Sequence, residues 1–356
     1  MIKECIEKLV MMEDLSPEAM TSAMEEVMSG QATPAQVASF ITALRMKGET
    51  VDEISCAARV MQGKAVRLNL PGMRLIDTCG TGGDGAMTFN ISTAAALVVS
   101  AAGMPVAKHG NRAVSSRCGS ADVLEALGVR VDLEPAQVED CIRGVGIGFL
   151  FAPTFHLAMR HAAPTRREIG IRTIFNVLGP LTNPAGAPVQ LMGVFSAGLA
   201  KKLAHALHHM GNRSAYVVHG AGGLDELSLL GPNLLYAVSG RGVEEFYLGA
   251  SELGLNPAPV EELQGGTAPE NAAIIRRLFE GASGPQRDVV LLNAGAAIAA
   301  ASHQETGGEE VDIIEEIKNG IQKAAQAIDS GAARGKLREL ASFTQSQPSK
   351  RQEMAS

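Results

Sequence analysis

Nine residues, Asp77-Thr78-Cys79-Gly80-Thr81-Gly82-Gly83-Asp84-Gly85, follow an apolar run and precede an apolar helical segment. Glycine lacks a Cβ and takes positive φ freely, so a loop of this composition lets backbone N–H groups close on an anion. A following helix adds the positive end of its dipole. Asp84 is out of place in a simple phosphate loop, because a carboxylate beside a phosphate is repulsive unless a cation lies between them. The loop therefore points to a metal-chelated phosphate ester or diphosphate. A second segment, Lys108-His109-Gly110-Asn111-Arg112-Ala113-Val114-Ser115-Ser116-Arg117, sets three permanent cations, a histidine and two hydroxyls within ten residues. It reads as an anion clamp: lysine as a compact charge, arginine as a planar fork, serine as a neutral donor. Ser120, near the start of a helix expected over 118–128, can donate to the same anion. A third segment follows the strand signal Ala215-Tyr216-Val217-Val218: the loop 219–226 ends in the adjacent carboxylates Asp225 and Glu226. Such a pair suits Mg²⁺, which keeps most of its waters and takes one or two protein carboxylates, the rest of its shell coming from substrate phosphate.

Each segment has a plainer reading: a tight strand-to-helix corner, a solvated basic loop, a solvated acidic pair. Gly80, Gly82 and Gly85 also match the G-x-G-x-x-G spacing of dinucleotide-binding folds. That fold needs a helix opening within the glycines and an acid about 20 positions on. Here the helix is expected after Asn90-Ile91-Ser92-Thr93, and the next strand ends in Lys108-His109, a base where the acid belongs. The P-loop pattern fails for want of Gly-Lys-Ser/Thr.

Together, segments 77–93, 108–128 and 219–226, with Ala163-Pro164-Thr165-Arg166-Arg167-Glu168 and 176–184, resemble the anthranilate phosphoribosyltransferases of tryptophan biosynthesis, from the N-terminus to about residue 340. The Lys-His-Gly-Asn-Arg run separates that family from the related pyrimidine nucleoside phosphorylases. The resemblance implies magnesium-dependent transfer of a phosphoribosyl group from 5-phosphoribosyl 1-diphosphate to anthranilate, with two ions per site, in a cytoplasmic homodimer. It implies that the diphosphate sugar is held by Gly80, Gly83, Asp84, Thr88, Asn90, Ile91, Ser92 and Thr93, by Lys108, His109, Gly110, Asn111, Arg112, Ala113, Val114, Ser115 and Ser116, and by Ser120. Anthranilate falls to Gly80, His109, Asn111, His156, Arg166 and Pro180, the metal to Ser92, Asp225 and Glu226, and catalysis to Lys108, Asn111 and Arg166. A guanidinium at Arg166 would grip the acceptor's carboxylate bidentately. The family usually follows the histidine at 156 with proline, whereas this chain has Leu157, which puts the local backbone and access channel in question. The basic loop 108–118 is expected to act as a lid. Two other classes compete: a nucleoside phosphorylase or dinucleotide-dependent oxidoreductase, and a non-catalytic paralogue binding nucleic acid or another anion.

The elements that must position these residues fall into two parts. Residues 1–70 carry three helix starts, Ser16-Pro17-Glu18, Thr33-Pro34-Ala35-Gln36 and Thr50-Val51-Asp52-Glu53, the last two being capping boxes. They form a small helical domain, which the resemblance implies is joined by helical segments from about 153–182, with one helix expected over 155–174 carrying Arg166. Residues 71–345 alternate strand, loop and helix, with strands expected at 75–78, 104–107, 148–152, 191–195, 215–218 and 289–292. Such alternation argues for an α/β domain with a central, mostly parallel sheet flanked by helices and with ligands beyond the strands' carboxyl ends. A long helix over 309–342 packs on that sheet, and the chain from 345 onward, including 346–356, frays.

Composition narrows the alternatives. A length of 356 residues with 46% apolar content supports two lobes with buried cores, while a net charge of −7 and 4% aromatic residues argue against a nucleic-acid surface. Five scattered cysteines without CxxC spacing indicate neither a disulfide framework nor zinc, as in a reducing compartment. The start Met1-Ile2-Lys3-Glu4 reads as a charged amphipathic helix rather than a signal peptide, and no apolar run reaches membrane-spanning length.

Overall fold

The computed structural model describes residues 1–113, 117–211, 214–303 and 312–348. Helices α1 (Ile2–Val10), α2 (Pro17–Met28), α3 (Pro34–Lys47) and α4 (Val51–Lys64) begin where their caps dictate. Ser16 accepts from the Ala19 N–H, and Thr33–Gln36 and Thr50–Glu53 form reciprocal capping boxes. Glu53 also accepts from Leu15 N at 2.9 Å and pairs with Lys47 Nζ at 2.9 Å, so a buried cap ties three segments together. The apolar faces bearing Met24, Phe40, Leu44 and Ile54 share one core with Ile174, Phe175, Leu178 and Leu181 and with the strand residues Met192 and Val217.

The sheet has seven strands: β1 (Ile76–Gly80), β2 (Val106–Gly110), β3 (Ile147–Phe151), β4 (Val189–Gly193), β5 (Ser214–His219), β6 (Asn233–Ser239) and β7 (Gly242–Leu248). Their order is β3-β2-β1-β4-β5-β6-β7. The first five are parallel, and β6 and β7 close one side as an antiparallel hairpin. One face packs on the helical lobe and the helix Ala197–His209. The other packs on α5 (Ile91–Ala101) and the helix Pro285–His303. The arrangement is the expected helical unit plus α/β domain with a mostly parallel sheet.

Several expected elements are corrected. The run 289–292 lies inside the helix Pro285–His303, buried on every side, so it has no polar stripe to betray a helical period. The single C-terminal helix is two, Ile313–Asp329 and Ala332–Ser346, divided at Gly331 with φ 78°. The second runs past 345, where Gln345 Nε2 donates to Gly128 O at 3.0 Å; residues 309–311 and 349–356 lie outside the described residues. The helix expected over 155–174 is instead a 3₁₀ turn, Leu157–His161, and a short helix, Ala163–Ile169, which Gly170 ends with φ 62°. Finally, β2 extends to Gly110, which places Lys108 and His109 in a strand rather than a loop. Among the described residues no helix is long and apolar enough to cross a membrane.

Candidate active site

Parallel strands carry their carboxyl ends to one edge of the sheet, and there the loops after β1, β2 and β5 meet. The loop after β5 comes unusually close to its neighbours because three strand-end residues have no side chain. A Cβ at Gly80 would overlap the Asp225 carboxylate, one at Gly193 the Asp225 carbonyl, and one at Gly220 the Glu226 carbonyl. Asp225 Oδ2 accepts from Gly82 N at 2.7 Å, and Asp225 N donates to Asp84 Oδ2 at 3.4 Å. Gly82, Gly83 and Gly85 all have positive φ, which bends the first loop toward this contact. Glu226 Oε1 accepts from Ser92 N at 3.2 Å in the first turn of α5. Lys108 is buried, its Nζ donating to Thr78 O at 2.6 Å and lying 3.4 Å from Ser92 Oγ.

Three carboxylates and one lysine thus crowd a poorly hydrated corner. Burial, reinforced by Asp84, pushes Asp225 up to about 7; burial, reinforced by Asp225, pushes Glu226 up to about 8. Burial also lowers Lys108, with Asp77, Cys79 and Glu226 opposing the shift. Among the described residues no three His, Cys, Asp or Glu side chains converge to hold a metal by themselves. The adjacent Asp225 and Glu226 suit a magnesium ion that takes one or two carboxylates and completes its shell with water and substrate phosphate. The carboxyls are raised first by burial and then by one another's negative charge, and such an ion would relieve the second.

Two of the acceptor candidates meet at His109, the neighbour of Lys108 in β2 that points to the other face of the sheet. The His109 and His156 rings lie 5.0 Å apart, both buried. His109 Nδ1 is 3.2 Å from Gly179 O, while among the described residues His109 Nε2 and both His156 ring nitrogens have no partner at hydrogen-bond geometry. Burial holds both imidazoles neutral, His109 lowered to about 3 with His156 adding to the shift, and His156 to about 4 against a slight pull from the Thr182 backbone. Arg166 stacks over Phe175 at 5.2 Å, and no ion pair of Arg166 occurs among the described residues. Pro180 lies in the helix Ile174–Leu181, its carbonyl accepting from Gln190 Nε2 at 2.6 Å. A half-buried guanidinium with no carboxylate partner among the described residues, over an aromatic ring, is suited to a flat aromatic acid.

Sequence comparison settles the family. The glycosyl transferase family's a/b domain matches residues 72–334 and its helical bundle domain residues 3–65. The anthranilate phosphoribosyltransferase of Pelotomaculum thermopropionicum is 56% identical over 97% of this chain and 97% of its own. The chain belongs to the anthranilate phosphoribosyltransferase family. The family's solved structures share its shape: that from Thermus thermophilus has a TM-score of 0.87 at 44% identity, covering 96% of this chain and 99% of its own. That from Saccharomyces cerevisiae, a complex with PRPP and Mg, has a TM-score of 0.87 at 29% identity, covering 97% and 98%.

For an anthranilate phosphoribosyltransferase, the second anion segment is arranged differently from the sequence expectation. Lys108 pairs in register with Phe149, His109 with Leu150 and Gly110 with Phe151, so these three are ladder residues and not part of a lid. Arg112 is engaged by Glu125 at 2.6 and 2.7 Å and by Asp122 at 3.1 Å. Asn111 O accepts from Ser120 Oγ at 3.2 Å and Ala113 N donates to Asp122 Oδ2 at 3.0 Å. Val114, Ser115 and Ser116 lie outside the described residues. Asn90 bridges Cys118 O at 3.1 Å and Asn271 at 2.9 Å, Ile91 and Thr93 are buried at the start of α5 with Thr93 Oγ1 unpartnered, and Thr88 forms an isolated bridge to Gln264. Leu157 is 55% exposed in the 3₁₀ turn, away from the buried His156. Sequence reasoning missed Arg172, whose Nη2 donates to the Gly83 carbonyl. Nothing local marks it, because its partner is 89 positions away.

Proposed function

We propose that this chain transfers the 5-phosphoribosyl group of phosphoribosyl diphosphate to the amine of anthranilate, giving N-(5-phosphoribosyl)anthranilate and diphosphate in tryptophan biosynthesis. The observation that carries this reading is the pairing of two unbalanced charges: a glycine-built anion loop crowded with carboxylates, and Arg166, stacked over Phe175 with no carboxylate partner among the described residues.

Arg166 binds the acceptor's carboxylate and His109, His156, Asn111, Gly80 and Pro180 frame its ring. The glycine loop, with Gly83 and Asp84, takes the diphosphate, while Asn90 to Thr93 take the 5′-phosphate at the α5 N-terminus. Thr88, Arg112, Ala113, Val114, Ser115, Ser116 and Ser120 contribute further donors around the sugar diphosphate. Ser92, Asp225 and Glu226 hold Mg²⁺, two ions in our reading, which supply charge neutralisation for the leaving group. In the chemical step the ribosyl C1–O bond breaks, its electron pair leaving on diphosphate, and the amine nitrogen bonds to C1 and then loses a proton. An aniline nitrogen is a weak nucleophile, so stabilising the departing anion is the largest demand. Lys108 is anchored by Thr78 O and therefore arrives at that anion already positioned.

The organisation we infer is a helical domain, residues 1–70 with helices from about 153–182, and an α/β domain, residues 71–345. The exposed apolar group Val10, Met11, Met12 and Met46 on the helical lobe supports a homodimer. We place the enzyme in the cytoplasm, acting on small molecules. The direct test is loss of anthranilate fluorescence on adding phosphoribosyl diphosphate, with Mg²⁺ and with excess EDTA. Magnesium-dependent loss is expected; wild-type protein that binds the diphosphate sugar yet leaves anthranilate untouched would refute the acceptor.

A further inference from the structure

Arg172 stands between two acceptor elements. It follows the helix Ala163–Ile169, which bears Arg166, and precedes the helix Ile174–Leu181, which bears Gly179 and Pro180. Its guanidinium nevertheless leaves that segment. Nη2 donates to the Gly83 carbonyl, and Cζ lies 4.6 Å from the centroid of the Phe195 ring. Phe195, just beyond β4, donates its N–H to Thr81 Oγ1 at 3.3 Å. One side chain therefore ties the acceptor segment to the glycine loop, directly at Gly83 and through Phe195 at Thr81. Gly83 is shaped for the contact: its φ is 77°, and a Cβ there would lie 2.7 Å from Arg172 Cζ.

An exposed arginine ordinarily stays in water or finds a carboxylate. Arg172 is solvent-exposed, yet among the described residues it pairs with no carboxylate: it donates a charge-assisted bond to a neutral carbonyl next to Asp84 and lies over an aromatic face. We propose that Arg172 is a positioning residue that couples the two substrate sites. When the glycine loop closes on diphosphate, Gly83 draws Arg172, and with it Arg166 and Pro180, into place around the acceptor. Anthranilate then binds more tightly with the diphosphate present, and by reciprocity the diphosphate gains the same factor. This inference rests on the proposed assignment of the two sites.

The test uses the full chain and anthranilate fluorescence, titrated with and without Mg²⁺-diphosphate, which lacks the ribose and cannot react. The wild-type dissociation constant for anthranilate is expected to fall at least about fivefold when Mg²⁺-diphosphate is present. In Arg172→Ala that ratio falls to about one, although each ligand alone still binds. Arg172→Lys restores part of the ratio, since an ammonium can reach the carbonyl but cannot stack as a plane. Phe195→Leu lowers the ratio while leaving the guanidinium in place, and carries the test if the alanine variant melts early. A ratio unchanged in Arg172→Ala, or near one in the wild type, overturns the coupling. Loss of Mg²⁺-diphosphate binding in Arg172→Ala, with anthranilate affinity intact, makes Arg172 a diphosphate ligand and also overturns it. Wild-type protein that binds neither ligand would instead defeat the proposed function.

Discussion

His156 offers a quantitative test of the acceptor face. Its imidazole is buried and held neutral, lowered to about 4, so in acid the unfolded chain binds a proton that the folded chain refuses. A folded value below the ordinary one means that the stability is present above pH ~6.5 and drains away as pH falls toward the folded value. Between pH 7 and 5 the unfolded state gains about 1.9 kcal/mol from that proton and the folded state under about 0.1, a net loss near 1.8 kcal/mol. At roughly 2.1 cal/mol/K per residue, this chain's melting entropy makes that about 2–3 °C. The whole-protein curve hides the effect, because Asp225 and Glu226, raised to about 7 and about 8, gain protons over the same range and push the other way. Subtraction isolates it: melting curves of wild type and His156→Gln at pH 7 and 5 should differ in their pH slope by about 2–3 °C, with the variant falling less. The His156 ring proton should likewise show no titration in NMR spectra above pH ~5. Parallel melting curves, or titration near 6.5, would refute the claim that burial keeps this ring neutral.

Replacing Arg166 by alanine should raise KM for anthranilate by roughly 10- to 100-fold, the worth of a charged hydrogen-bonded contact, while KM for phosphoribosyl diphosphate shifts by less than about threefold. An equal rise in both would argue that Arg166 supports the fold instead. Gly193→Ala drives a methyl into the Asp225 carbonyl, so half-saturating Mg²⁺ should rise by about tenfold or more; Gly198→Ala, with open space around it, is the control and should behave as wild type. Mg²⁺ should raise the melting temperature more at pH 8 than at pH 6: the stability tied to the elevated carboxyls is full below about pH 4, drains as the unfolded chain ionises, and is gone once pH passes 7 to 8, where both carboxyls are ionised and free to bind the ion. Equal shifts at both pH values would show that the ion binds elsewhere.

Glycines 80 to 85, the helix starts at Ser16, Thr33 and Thr50, and the Asp225-Glu226 pair were legible because their signals are local: backbone conformation, capping chemistry and charge. The run 289–292 misled because a helix buried all round looks, over four residues, like a buried strand. The β6–β7 hairpin carried a readable signal, apolar strands around Ser239-Gly240-Arg241-Gly242, that the strand assignment passed over. Lys108 and His109 read as loop because their charge suggested solvent, yet Lys108 is accommodated in the ladder by the Thr78 carbonyl and the nearby Glu226. Partners far apart in the chain, such as Gly193 with Asp225 and Arg172 with Gly83, left no local trace.

The strand order has a consequence for how the chain is made. β1 is an interior strand between β2 and β4; Asp77 and its partner Gln190, on β1 and β4, are 113 positions apart. At about 5–20 residues per second, a ribosome takes on the order of ten seconds to supply β4 after β1 has emerged. As β2 and β3 emerge within that interval they can pair with β1, whose other flank stays open, a row of unpaired backbone groups beside a carboxylate that the finished protein encloses. Holding that flank in check until the second half arrives falls to the cell's chaperones or to the helical lobe already made.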